Sequence, residues 1–307
     1  MNEPILTLGV FQLTDFGVGC ALALFVAFCV MLKYCWRQGL RYAQVAAYAL
    51  LALPMGWLCS RLLFVAANYR YYSMTLGSFA PALYFWDGGY SLMGMLLGAM
   101  LAALPASKIS KVPAGHFLDA LGFAAPIAIM CVRLFERGTG LGDVREIMTE
   151  YITWPIWRLE LLTAVIIFIV LAAYLVRVNW KPAHRGDVLC LFLLLFGGTQ
   201  VVLESLHGDG HMEVHFVRVQ QVIAILLACA VLGVWTARLL KNGGNRKIAL
   251  ICNVIALACV GAGVAAEFAV DRSAEKLLAY MVMGACMTVI CAVALYIRRL
   301  ASRAETN

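Results

Sequence analysis

Residues 187–206, DVLCLFLLLFGGTQVVLESL, decide the fold. Between Asp187 and Glu204 the stretch carries no charge. Twenty residues wound as a helix extend about 30 Å, the thickness of a bilayer's hydrocarbon core. No alternation of apolar and polar residues marks a strand, and in lipid a helix satisfies its own backbone N–H and C=O groups. Eight more runs of this kind flank it: 16–34, 44–66, 89–106, 117–135 and 158–177 before it, and 217–237, 247–268 and 277–297 after it. The whole chain of 307 residues is 63% hydrophobic and 13% charged. Soluble domains run about 45–50% apolar and about a quarter charged. These departures exclude a soluble globular protein and a disordered chain. They also exclude a nucleic-acid binder, despite a net charge of +7. The expected fold is an all-α integral membrane protein of about nine transmembrane helices.

Charge alternates between the connections. Lys33, Arg37 and Arg41 follow the first run, Lys108 and Lys111 the third, and Arg177, Lys181 and Arg185 the fifth. Arg238, Lys241, Arg246 and Lys247 follow the seventh, and Arg298, Arg299 and Arg303 close the chain. The opposite connections hold the acids Asp87, Asp143, Glu146, Glu150, Asp209, Glu213, Glu267, Asp271 and Glu275. Basic loops stay cytoplasmic, so the amino terminus is expected outside and the carboxyl terminus in the cytoplasm. The segment MNEPILTLGVFQLTDFG holds Glu3 and Asp15 but no Lys or Arg, so the first run is expected to be retained rather than cleaved as a signal peptide. The eleven cysteines form no CxxC or Cys/His ligand spacing and fit the role of small buried apolar residues.

Two outer segments exceed a plain hairpin. Residues 68–89 are rich in rings from Tyr69 to Trp86, and residues 138–157 end on Trp154 and Trp157. Such rings suit either an anchoring belt at the interface or a roof over a lateral opening to lipid. Ionisable groups at bilayer depth cost several kcal/mol, so they face partners or wet cavities. Arg61, Asp119, Arg133, Glu136, Glu160 and Glu204 are of this kind. All but Asp119 fall near outer helix ends, where arginines can grip a phosphate headgroup bidentately. Arg133, Arg61 and Glu136 are therefore the candidate headgroup-binding residues, with Asp119 and Glu160 as structural polar groups. Gly94 and Gly98 in WDGGYSLMGMLLG share a helix face, as close helix packing requires. GTGLG, with Gly138, Gly140 and Gly142, offers bare backbone amides. HGDGHMEVH places His207, His211 and His215 four apart, but Gly208 and Gly210 oppose a helix that would align them on a metal. No metal and no cofactor is expected.

With these residues in view, the chain resembles the bacterial prolipoprotein diacylglyceryl transferases over about residues 4–236. WDGGYSLMGMLLG follows that family's W-[ED]-G-G-x-S-x-H-G-G-x-x-G segment, and SRLLFVAANY its Arg-containing second helix. DALGFAAPIAIMCVRLFERGTG resembles the D-x6-P segment leading to R-x-G-N-x-x-N-G-E. WPIWRLE keeps the Pro and Glu of P-x-Q-L-Y-E, and the span ending in ESLHGDG follows R-F-x-x-E-x-x-R-x-x-D. Residues 247–297 exceed the family's seven spans. The implied division is a transferase-like body of seven helices at 1–240 and two added helices with a basic tail at 241–307.

The resemblance implies displacement at the phosphate-bearing glycerol carbon of phosphatidylglycerol, or of another anionic lipid, by the thiol of a lipobox cysteine in a lipoprotein signal segment. That chemistry needs thiol deprotonation and a cationic hold on the departing phosphate. Arg61, Asp119, Arg133, Pro155, Glu160, Glu204 and Asp209 match the family pattern. Met93 stands where the family has a base histidine, Glu136 replaces the signature Asn, Leu141 its Glu, and Gln200 a second arginine. Glu204 and His207 are the remaining candidate catalytic groups. The alternative implied by these losses is a catalytically degenerate relative that binds anionic lipid or a lipoprotein partner without transfer. The expected location is the bacterial plasma membrane.

Overall fold

Thr14 opens the first span. Its hydroxyl accepts from the amide of Gly17 at 3.1 Å, and Asp15 puts a carboxylate in the first turn, where the helix dipole favours it. The computed structural model describes residues 6–8, 11–136, 144, 148, 150–208, 212–214, 217–270, 272 and 275–306. Among them are nine helices long and apolar enough to cross a membrane. They are α1 (Asp15–Arg37), α2 (Tyr42–Ala67), α3 (Leu92–Ser110), α4 (Ala114–Phe135), α5 (Ile156–Arg177), α6 (Asp187–Leu206), α7 (Val219–Lys241), α8 (Arg246–Val270) and α9 (Lys276–Thr306). The protein is a multi-pass, helical membrane protein. Its only described strands are the two- and three-residue pieces β1 (Leu6–Leu8), β2 (Phe11–Leu13), β3 (Glu213–Val214) and β4 (Val217–Arg218). The antiparallel pair β1–β2 aligns Leu6 with Leu13 and Leu8 with Phe11.

Three details depart from the sequence expectations. Helix α3 starts at Leu92 rather than at 89, because Gly88 and Gly89 take positive φ (74° and 72°) and Ser91 caps the helix. A side chain at Gly89 would also press on Arg61 and Phe64. Helix α9 runs on to Thr306 instead of stopping at 297, carried by the basic, helix-favouring tail. Glu267, expected in an outer loop, lies within α8 and is buried.

Two compact units divide the chain. The first comprises residues 1–143, 157–192 and 210–213; the second comprises 144–156, 193–209 and 214–307. In the first, α2 packs on α3 and α1 on α4. Glycine sets the approach: a Cβ at Gly94 would stand 2.6 Å from the Cys59 carbonyl oxygen, and one at Gly98 would collide with the Met55 carbonyl. Gly122 likewise lies against Leu189 at the start of α6, a Cβ there meeting its Cα at 2.6 Å. Tyr34, Phe123, Phe168 and Trp180 form one aromatic cluster, with ring centroids 5.4–6.3 Å apart. In the second unit, α9 packs on both α7 and α8. Tyr280 of α9 donates to the Ser205 carbonyl at 2.9 Å, and Asn253 of α8 to Thr236 of α7 at 3.1 Å.

Candidate functional site

The first unit carries a charged centre at the carboxyl end of α4. Arg133 meets Glu160, one turn into α5, through two nitrogens: Nη2 donates to Oε1 at 3.0 Å and Nε lies 2.8 Å from Oε2. Its Nη1 donates to Glu136, which ends α4. Glu160 is buried and Arg133 nearly so. One guanidinium thus stands between two carboxylates in a membrane-spanning body. Such a fork grips a planar oxyanion bidentately, which a Lys ammonium cannot do. Glu136, also expected among the headgroup-binding residues, puts its carboxylate against Arg133.

Arg61, the second arginine expected at a headgroup, donates to backbone carbonyls through all three of its nitrogens. Its Nε donates to the Ala82 carbonyl at 3.0 Å, and Nη2 to Pro81 and Tyr84 at 3.2 Å each. Nη1 donates to Gly88 and, at 3.1 Å, to Gly89. These carbonyls belong to the aromatic segment 68–89, which folds as short turns (Tyr71–Thr75, Ala80–Leu83 and Phe85–Asp87). A buried arginine therefore pins that segment over the α2–α3 pair. Ser60 reinforces it, donating to the Ser91 carbonyl at 2.7 Å and accepting from the Ser91 amide at 2.8 Å. Tyr69, Tyr84 and Trp86 stay exposed, as rings seated in a headgroup layer would be.

Asp119, expected as a structural polar group, lies near the amino end of α4, away from Arg133. Its carboxylate accepts from the amides of Gly186 and Val188 at 2.8 Å and of Leu189 at 3.3 Å. It closes the amino end of α6 from a neighbouring helix, in place of a local cap.

The second unit holds Glu204 and His207. Gln200, one turn earlier on α6, donates to Glu204 Oε1 at 2.9 Å. Arg218 of β4 brings Nη1 to 3.8 Å from Glu204 Oε2 and donates from Nη2 to the His207 carbonyl at 3.0 Å. His207 also bridges to Val144 as an isolated antiparallel pair, which fixes the chain as it leaves α6. Deeper in the unit, Gln221 of α7 donates to the Val201 carbonyl at 3.0 Å and to Glu267 at 3.2 Å. Sequence reasoning missed Arg218, Gln221 and Glu267. The signal for Arg218 was an arginine opening an apolar run just before two glutamines.

Met93 and Gln200 are both buried. Gly138, Gly140, Leu141 and Gly142 lie outside the described residues, as do Asp209, His211 and His215. None of the eleven cysteines is joined in a disulfide.

The family model described as prolipoprotein diacylglyceryl transferase matches residues 4–237. The chain is 26% identical over 233 residues to the phosphatidylglycerol–prolipoprotein diacylglyceryl transferase of Clostridioides difficile (strain 630), covering 74% of this chain and 91% of that protein. The protein of the same name from Lactiplantibacillus plantarum is 25% identical over 268 residues, covering 80% and 92%. That from Streptococcus pneumoniae serotype 4 is 23% identical over 252 residues, covering 74% and 90%.

Proposed function

Because the chain belongs to the prolipoprotein diacylglyceryl transferase family, we propose that it moves the diacylglyceryl group of phosphatidylglycerol to the thiol of a lipobox cysteine. The observation that carries this reading is the Arg133 centre: a nearly buried guanidinium held by Glu160 and Glu136, inside the family-matched body. In the reaction the sulfur attacks the glycerol carbon that bears phosphate. The carbon–oxygen bond breaks, and glycerol phosphate leaves with the electron pair. Arg133 holds that phosphate, stabilising the charge as it gathers on the leaving oxygen. Glu204, which accepts from Gln200, and His207 are the candidates to accept the thiol proton. Asp119, Glu160 and Arg61 hold the helices and the outer segment in place.

This reading sets the protein in the bacterial plasma membrane with its amino terminus outside and its carboxyl terminus cytoplasmic. The charge alternation supports that orientation. Residues 1–240 form the transferase body, in keeping with a family match that ends at residue 237, and residues 241–307 are an addition to it.

The test is transfer of labelled diacylglyceryl from phosphatidylglycerol vesicles to a lipobox peptide. Wild type is expected to turn over. Arg133→Lys keeps the charge but not the fork, and is expected to lose about 10²–10³-fold in rate, the usual effect of removing one anion-stabilising donor. Wild-type protein that retains phosphatidylglycerol but transfers nothing would replace this reading with binding alone.

A further inference from the structure

An α-helix ends on carbonyls that none of its own amides can reach in the usual pattern. At the end of α6 the Glu204 carbonyl accepts from the His207 amide at 3.3 Å. The Ser205 carbonyl instead takes the phenol of Tyr280, which donates to it at 2.9 Å from α9. The same phenol accepts from the Ser205 hydroxyl at 3.3 Å, so one side chain grips both the main chain and the side chain of that residue. Tyr280 and Ser205 are both buried. A second tie lies one turn earlier. Gln221 of α7 donates to the Val201 carbonyl and to the carboxylate of Glu267, on α8. Helices α8 and α9 lie wholly beyond residue 237, where the family match ends. Both therefore reach the last two turns of α6, which carry Glu204 and lead into His207.

We propose that Tyr280 is a positioning residue for diacylglyceryl transfer, fixing the end of α6 so that Glu204 and His207 keep one orientation. The inference rests on the transferase reading above and adds to it a task for a helix outside the family-matched body. A group that takes a proton must stand within hydrogen-bond reach of it. A misplacement of about 1 Å, caused by a change away from the reacting atoms, can cost about 10²-fold in rate. Glu204 directly precedes Ser205 and His207 follows two residues later, so the turn gripped at Ser205 sets the direction of both side chains. A tyrosine suits this task. Its ring packs among apolar helices while its hydroxyl satisfies a buried carbonyl that would otherwise be costly to leave unmet. Tyr280 acts through Ser205 and not on the reacting atoms.

Four proteins test the assignment: wild type, Tyr280→Phe, Tyr280→Leu, and Tyr296→Phe, which alters an exposed tyrosine of the same helix. Two readouts are taken. One is kcat and KM for phosphatidylglycerol in transfer to a lipobox peptide; the other is hydrogen–deuterium exchange of residues 201–207. Tyr280→Phe keeps the ring and is expected to lower kcat by about 10- to 10²-fold with KM unchanged. Exchange at 201–207 should rise several-fold as the freed turn frays. Tyr280→Leu is expected to lose the same factor, since the hydroxyl carries the role, and Tyr296→Phe to change neither readout. Unchanged kcat in Tyr280→Phe would overturn the proposal. So would a loss confined to Tyr280→Leu, which is ring packing alone, or a loss that falls on KM and spares kcat. If wild type transfers nothing, the transferase reading fails separately, and exchange then decides whether Tyr280 fixes the end of α6. Faster exchange in Tyr280→Phe would support that hold, and unchanged exchange would overturn it.

Discussion

Glu136 is the side chain whose chemistry most opposes a lipid phosphate. It donates nothing, and its carboxylate occupies the Arg133 guanidinium that such a phosphate would seek. The family resemblance places an Asn there. Glu136→Asn is expected to raise phosphatidylglycerol retention several-fold, measured by native mass spectrometry at fixed lipid, while Glu160 keeps Arg133 oriented. Unchanged retention would mean that Glu136 gives way to the lipid at no cost. Asp119 offers a contrasting case, since its three amide contacts are structural. Asp119→Ala removes a cap and is expected to cost about 0.5–2 kcal/mol, seen as a lower melting temperature in detergent. Sequence placed each of these charges near a helix end but could not pair them, because spacing along a helix reports only partners three or four residues away. Arg133 with Glu136 is such a local pair; Arg133 with Glu160 is not.

Among the helices, the α2–α3 pair shows the narrowest tolerance. Gly94 and Gly98 sit one turn apart on α3, and each meets the α2 backbone directly. That spacing was visible in WDGGYSLMGMLLG, since small residues four apart let two helix backbones approach. Gly98→Leu would force the helices apart. Overpacking of this kind typically costs about 1–3 kcal/mol, and backbone has less room to shift than side chains do. The expected result is a lower detergent melting temperature and loosened grip of Arg61 on the aromatic segment, read as faster proteolysis of residues 68–89. Gly261, whose Cβ would meet open space, is the matched control and should tolerate leucine.

Taken whole, the chain joins a family-matched body to two helices beyond the match. These helices are not loosely appended within their own unit. Trp235, Ala228 and Val231 of α7 are buried, Tyr280 bonds Ser205, and Glu267 bonds Gln221. Ending the chain at residue 240 would expose the α7 face that packs on α9 and leave Gln221 without its acid. The expected outcome is a protein that melts lower and aggregates sooner in detergent than the full chain. A truncated protein of equal stability would show the addition to be dispensable for folding. Orientation is checked independently in a cysteine-free background. Ser78→Cys should react with an impermeant thiol reagent from outside the cell, and Asn245→Cys only after the cytoplasmic face is opened.

The number of spans, their approximate ends and the alternation of charge were written in composition, because a hydrocarbon layer accepts only long apolar helices and retains basic loops on one side. The family motifs were legible in the same way, as residues in order along the chain. The partners of Glu204 and Arg61, and the interior seat of Glu267, were not. Those contacts join elements far apart in sequence. Where each buried charge found its counterpart was settled by packing, since the cost of an unpaired charge in lipid constrains the sum of charges and not the positions that supply them.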